Sequence, residues 1–194
     1  MTITIEAYED WGAATGSPAK GTSRTEVTNF NLKAISDPAQ NYYLNDIQRP
    51  SGALMGPNGY CSFKRYFSFK IYGTYNRVKN TRIVIPSGFV PNNWRVMYGL
   101  TNTYQQPTGV TNEFGRTMGA FDGNLITLTE GVTLFPMIST TGPESATTRA
   151  ISYGPNQTLW TQYLVLQFMC HSSDFDDVDN EGTGTIKLIL DELE

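Results

Sequence analysis

One histidine, His171, stands in the whole 194-residue chain. A Ser/His/Asp or Cys/His centre needs such a base held by a carboxylate and within reach of a nucleophile. Asp174 and Asp176 follow closely, but no G-x-S-x-G turn accompanies them. There is also no P-loop, no G-x-G-x-x-G after a strand, no H-E-x-x-H and no paired C-x-x-C. No residue is therefore assigned a catalytic role, and the expectation is a protein that is not an enzyme. The only two cysteines, Cys61 and Cys170, are too few for a disulfide framework. Both fall in alternating apolar runs, which suits two small buried thiols, and a single bridge stays open. No run approaches the ~20 apolar residues of a membrane helix. The opening MTITIEAYEDWG has neither the basic nor the apolar region of a secretory signal, so synthesis in a cytoplasm is expected.

Charge is scarce as well. Asp, Glu, Lys and Arg make up 16% of the chain, below the ~25% usual in soluble domains, while aromatics reach 12%. Thr, Ser, Asn, Gln and Gly supply the polarity instead, and a surface of this kind carries little self-repulsion. The length favours one sizeable domain, able to bury about 70% of its unfolded surface without metal or disulfide help.

What the chain has in place of chemistry is period-two patterning. Ile3 and Ile5 alternate with Thr2, Thr4 and Glu6; Cys61, Phe63, Phe67, Phe69 and Ile71 alternate with Ser62, Lys64, Ser68 and Lys70. Arg65 breaks that inward series and predicts a bulge or an edge. Further strands are predicted over Val27–Ile35, Val78–Ile85, Trp94–Tyr98, Leu125–Thr129, Val132–Ser139, Leu159–His171 and Thr185–Asp191. Glu130-Gly131 is expected to form a hairpin turn, and Leu100–Gly123 a loop. In the long strand Trp160, Leu164, Leu166, Phe168 and Cys170 are expected on one face, which places Trp160, like Trp94, in the core. No window favours the helical period. The fold class that follows is all-β, a single antiparallel β-sandwich of jelly-roll-like form over residues 24–194. Residues 1–23 pair a strand with a linker, Gly12–Ser23, open to two uses: an arm that joins a neighbour's sheet, or an ordinary first strand and loop.

The charge is also unevenly placed. No acid occurs between Ile47 and Asn112, where Arg49, Lys64, Arg65, Lys70, Arg77, Lys79, Arg82 and Arg95 give +8. The flanking parts carry −3 and −9. Internal cross-strand pairing would account for this, as would complementarity between subunits that brings Arg65, Lys70, Arg77, Lys79 and Arg82 to an interface. A nucleic-acid platform with Tyr66, Tyr72 and Tyr75 as stacking rings is disfavoured by a sequence pI near 5.0. The acidic stretch SSDFDDVDNEGTG crowds Asp174, Asp176, Asp177, Asp179 and Glu181 together. Hard oxygen ligands suit Ca²⁺, but the loop lacks the bidentate Glu at its twelfth position, where Leu188 stands. A solvated acidic loop is the competing account, and no other cofactor is implied.

Several segments carry a family likeness. YFSFKIYGTYNRVKNTRIVIPSG (Tyr66–Gly88) resembles a pattern in small β-rich bacteriophage virion proteins: an aromatic strand, a Gly-Thr-aromatic turn, an Asn-x-Arg strand and a Ser-Gly turn. VMYGLTNTYQQPT, LWTQYLVLQFMCHSS and GTIKLILDELE are similar to the segments that follow in such chains. The resemblance implies a virion component, acting as capsid decoration or cement or as a neck or tail accessory. It would be homo-oligomeric, bound to other virion proteins and without catalytic residues. A carbohydrate-binding sandwich, for example on a tail fibre, is the alternative.

Overall fold

A computed structural model describes residues 2–28, 61–86, 94–111, 117–129, 131–149, 152–170 and 186–193. Their regular structure is strands, apart from one 3-10 turn at Pro143–Ser145. The β-branched and aromatic residues at every second position fit a pleated surface with one covered face, and the chain obeys that pattern.

The larger sheet is built around β3 (Arg65–Thr74). One edge of β3 pairs along its length with β1 (Thr2–Thr15), from Thr2 opposite Thr74 to Asp10 opposite Tyr66. β1 in turn pairs with β2 (Lys20–Glu26). The other edge of β3 meets β12 (Leu159–Thr161) and then β13 (Tyr163–Cys170). β10 (Ile138–Ser139) flanks β12, while β5 (Trp94–Thr101) flanks β13 and carries β8 (Ile126–Thr127) outside it. The smaller sheet centres on β4 (Arg77–Val84), with β14 (Lys187–Leu193) on one edge and β9 (Thr133–Leu134) and β11 (Ser152–Tyr153) on the other. β6 (Gly109–Thr111) and β7 (Thr117–Gly119) make a small hairpin within the span expected to be a loop.

All these pairings are antiparallel, and the two main sheets pack face to face. The main core draws Phe67, Phe69, Val96, Leu164, Leu166 and Phe168 from the larger sheet and Ile83, Ile85 and Leu134 from the smaller. A second cluster of Ile71, Tyr75, Val78, Ile138 and Leu159 fills the end where the chain turns from β3 into β4. Each fully buried Leu, Ile or Phe contributes about 1.5–3 kcal/mol. Gly73 permits that end to close: its φ is 129°, and a Cβ there would lie 2.0 Å from the Thr2 carbonyl.

Three expectations need correction, and a fourth lies mostly outside the described residues. Gly12–Ser23 is a hairpin rather than a linker: β1 runs on to Thr15, β2 starts at Lys20, and both sit on the chain's own sheet. Only Val27 and Thr28 of the predicted Val27–Ile35 strand are among the described residues, and both follow β2. β8 and β9 do not form a hairpin. β8 lies on the larger sheet and β9 on the smaller, and Leu128 and Leu134 both belong to the main core between them. Trp160 points away from the core. Leu159 stands opposite Ile71, but Leu164 stands opposite Phe67, so one extra residue sits between β12 and β13. That bulge reverses the alternation. Gln162 occupies it, and exchanges 2.7 Å hydrogen bonds with Met137 through its own N–H and its side-chain oxygen. Thr161 Oγ1 accepts from the Phe69 N–H, the ladder bond that the bulge would otherwise leave open.

Candidate functional site

The outer faces of the two sheets hold the charged and aromatic residues, and strand register decides what each face contains. Glu9 and Asp10 are adjacent on β1, so they point to opposite faces. Glu9 turns inward beside Phe67, where its carboxylate takes both Nε and Nη2 of Arg65, the Nη2 contact at 2.5 Å. Both side chains are about 5% exposed or less. Arg65, expected at an interface next to a bulge, is instead an interior residue in regular register with Leu166. The inward break in the pattern was a buried ion pair.

Asp10 turns outward and is fully covered. Arg24, facing it from β2, donates from Nε to Oδ1 at 2.5 Å and from Nη2 to Oδ2 at 2.9 Å. Tyr163 donates its hydroxyl to Asp10 Oδ2 at 2.6 Å, and Glu144 lies 3.4 Å from Arg24. Burial opposes the guanidinium's charge, but the hydrogen bonds and charge of Asp10 outweigh it and raise the Arg24 pKa. Burial, then the bond to Asp10, raises that of Tyr163. The network ties hairpin, sheet and 3-10 turn together. Its sequence signal is the adjacent Glu9 and Asp10, two acids side by side in β1.

Beyond that network the outer face divides. At one end Tyr66, Tyr104, Tyr163 and Val165 form a third buried cluster, with edge-on ring contacts of 4.8 Å for Tyr66–Tyr104 and 5.9 Å for Tyr66–Tyr163. Burial and the charge of Asp122 push the Tyr66 hydroxyl up to about 12. Gln167, fully buried, donates to the Ser62 and Ala120 carbonyls and accepts from the Asp122 N–H, pinning both flanking segments to β13. Asp122 pairs with Lys64 at 2.7 Å.

The other end is half open. The Tyr8 and Trp160 rings meet at a 53° tilt with centres 5.2 Å apart, and Lys70 Nζ sits 4.4 Å from the Tyr72 ring centre and 5.9 Å from that of Tyr8. Arg24 lies 5.0 Å over Trp160. Glu6 accepts from both the Tyr8 and Tyr72 hydroxyls and meets Lys70 at 3.4 Å. Those bonds, Tyr72 first, hold the Glu6 pKa below the usual carboxylate range, and the same contact pushes Tyr8 up to about 12.

The smaller sheet's outer face is built differently. Arg82 stands opposite Ile189, Lys79 opposite Asp191, Arg77 opposite Leu193 and Val84 opposite Lys187. Directly opposed residues share a face, so all four bases lie on the side away from the core, while Val78 and Ile83 point inward. This grouping requires the bulge on β4 at Asn80, which has φ 52°. Without it, Lys79 and Arg77 would face opposite to Arg82. Asp191 stabilises the bulge: Asn80 Nδ2 donates to it at 2.6 Å and Arg82 Nη1 at 3.3 Å. Asn80 first, then Arg82 and Lys79, lowers the Asp191 pKa. Among the described residues, Arg77, Lys79 and Lys187 have no carboxylate within 4.0 Å.

Of the residues expected at an interface, then, Arg77, Lys79 and Arg82 come together, Lys70 lies among the rings of the other sheet, and Arg65 is inside. Lys187 joins the basic face unforeseen. Asp174, Asp176, Asp177, Asp179, Glu181 and His171 lie outside the described residues. Comparison with known protein families, with characterised proteins and with solved structures finds no significant match.

Proposed function

We propose that the chain is a non-enzymatic structural component of a bacteriophage virion, a decoration or cement protein or a neck or tail accessory. It binds other virion subunits by burying surface and by assembling into symmetric oligomers. The observation that carries this proposal is how the described charges are used. Glu9 with Arg65, and Asp10 with Arg24 and Tyr163, join strands and hairpin to one another. Buried pairs of this kind hold a scaffold in one arrangement. The charges left on the outer faces are aimed at what lies outside the chain. The segment likeness from Tyr66 to Gly88 supports the virion assignment, and jelly-roll connectivity of the sandwich belongs to the same proposal. A standard interface hides about 1,600 Å², and repeated copies multiply it through avidity.

Quantitative mass spectrometry of purified phage particles tests the proposal. The expected result is this protein at a fixed number of copies per particle; its absence from washed particles would refute it.

A carbohydrate-binding module is the second candidate, favoured by one observation: Tyr8, Tyr72 and Trp160 gather half-exposed on an outer face. Their faces already bracket Lys70 and Arg24, so a sugar ring would have to displace a cation. A glycan array in which wild type binds and Trp160→Ala does not would establish it over the structural role.

A further inference from the structure

We infer that the outer edge of β14 pairs antiparallel with the same edge of a second copy, across a twofold axis at Ile189, so that the smaller sheets of two chains become one. The inference deepens the proposed function, since it rests on contact between copies being part of what the chain does. β14 is hydrogen-bonded to β4 on one side, and among the described residues no strand pairs with its other side. Such an edge presents a row of backbone donors and acceptors to another strand. The usual devices that blunt it are missing. β14 has no proline, and the bulge of this strand pair sits on β4. Its apolar residues are also incompletely covered. Leu188 and Leu190 pack on the core clusters yet stay part-exposed, as does Ile189 on the outer face. β2, the other seven-residue strand with one described neighbour, has no Val, Leu, Ile or aromatic residue to bury.

The side chains of β14 select both the occupant and the register. A twofold contact sets a surface against itself, and directly opposed residues share a face. Centred on Ile189, Lys187 of each copy stands opposite Asp191 of the other, Leu188 opposite Leu190, and Ile189 opposite itself. Centred on Leu190 instead, Leu188 would meet Glu192 and Ile189 would meet Asp191, an apolar residue against a carboxylate each time. The Ile189 register gives Lys187 the carboxylate that it lacks among the described residues. Asp191 can serve it: the side chain is 37% exposed and accepts one hydrogen bond from Asn80 and one from Arg82, with lone pairs to spare. The remaining bases do not oppose the contact. Strands in a sheet lie about 4.8 Å apart, so β4 of one copy would lie about 14 Å from β4 of the other, beyond the ~8 Å screening length at physiological salt. Arg77, Lys79 and Arg82 of both copies then stand on one continuous outer face.

Two single charge reversals, Lys187→Glu and Asp191→Lys, test the register. Mass in solution is measured by sedimentation and native mass spectrometry across a dilution series, with folding checked by melting. Wild type is expected as a dimer that dissociates on dilution, because one strand edge buries less than the ~1,600 Å² of a standard interface. Each variant alone sets like charges opposite each other twice and should be monomeric. An equal mixture restores two opposite-charge pairs and should form a heterodimer. Asp191 also holds Asn80, so a third variant, Ile189→Cys, keeps the test open should Asp191→Lys fail to fold. Two cysteines opposed across an antiparallel pair are within disulfide reach, so mild oxidation should link Ile189→Cys into dimers, while wild type, with Cys61 and Cys170 in place, should stay unlinked. Wild type that is monomeric at every concentration, a dimer that Lys187→Glu leaves intact, folded variants whose mixture stays monomeric, or Ile189→Cys that does not crosslink would each overturn the inference. A monomer that still loads onto particles at fixed copy number would remove the inference and keep the virion role. A dimer with these properties in a protein absent from washed particles would do the reverse.

Discussion

Lys64, Arg65 and Lys70 lie on or just before β3, and Arg77, Lys79 and Arg82 lie on β4, a few residues later. In sequence the six form one basic block. In the folded chain, each of the first three has its own acid: Asp122, Glu9 and Glu6. Of the second three and Lys187, Arg82 pairs with Asp191, and among the described residues the other three have no carboxylate within 4.0 Å. The difference lies in the neighbours. β3 is a central strand whose edges meet β1 and β12–β13, and β1 brings Glu6 and Glu9 to it in register. β4 pairs with β14, whose outward positions carry one acid. Internal pairing, one of the rival explanations for the basic block, thus accounts for its first half, while most of its second half stands on an outer face without an acid of its own. Basic residues on the central strand β3 are used to assemble the domain, and we propose that those on the outer face of β4 meet a partner.

The largest expected effect is inside. Arg65→Met should leave Glu9 charged and buried without its partner, at a cost of about 3–5 kcal/mol in urea unfolding. Adding Glu9→Leu should recover most of that loss; no recovery would mean that the two residues act independently. Tyr163→Phe removes a donor to covered Asp10 and should cost about 1.5–3 kcal/mol by the same measurement. A smaller effect is set by pH. Asp122, despite its burial, is held below its ordinary 3.8 chiefly by the hydrogen bond from Lys64. A carboxylate depressed on folding contributes stability above its unfolded value, and loses it as pH falls through the folded value. Stability should therefore fall below about pH 4, and Asp122→Asn should flatten that slope in urea midpoints taken across the acid range. The smallest effect is on β4. Arg77→Ala with Lys79→Ala should change stability by no more than about 0.5 kcal/mol. A loss as large as that of Arg65→Met would erase the contrast between the strands.

How far these roles could be read in advance depended on local parity. Alternation in Phe67–Phe69–Ile71 and in Leu164–Leu166–Phe168 placed both runs on the core face, since one covered face per strand is what the pattern encodes. Trp160 was misplaced because Gln162, a single residue with no glycine or proline to mark it, inserts a bulge. Asn80 does the same on β4. Each shifts parity by one, and bulges depend on tertiary partners, Met137 in one case and Asp191 in the other. Arg65 stands out in the sequence as an exception, but its cause is not legible there, because its partner lies 56 residues away. Arg77, Lys79 and Arg82 were legible as basic, whereas their shared face was not.

Amine labelling of four lysines, read by mass spectrometry on the assembled and the dissociated protein, tests the central division directly. Lys79 and Lys187 should label readily in the dissociated protein and be shielded on assembly. Lys64, held by Asp122, should label slowly in both states. Lys70, beside Glu6 and the rings, should also be slow in both states. Equal labelling of Lys79 and Lys187 in the two states, or Lys64 as reactive as Lys187 in the dissociated protein, would contradict it.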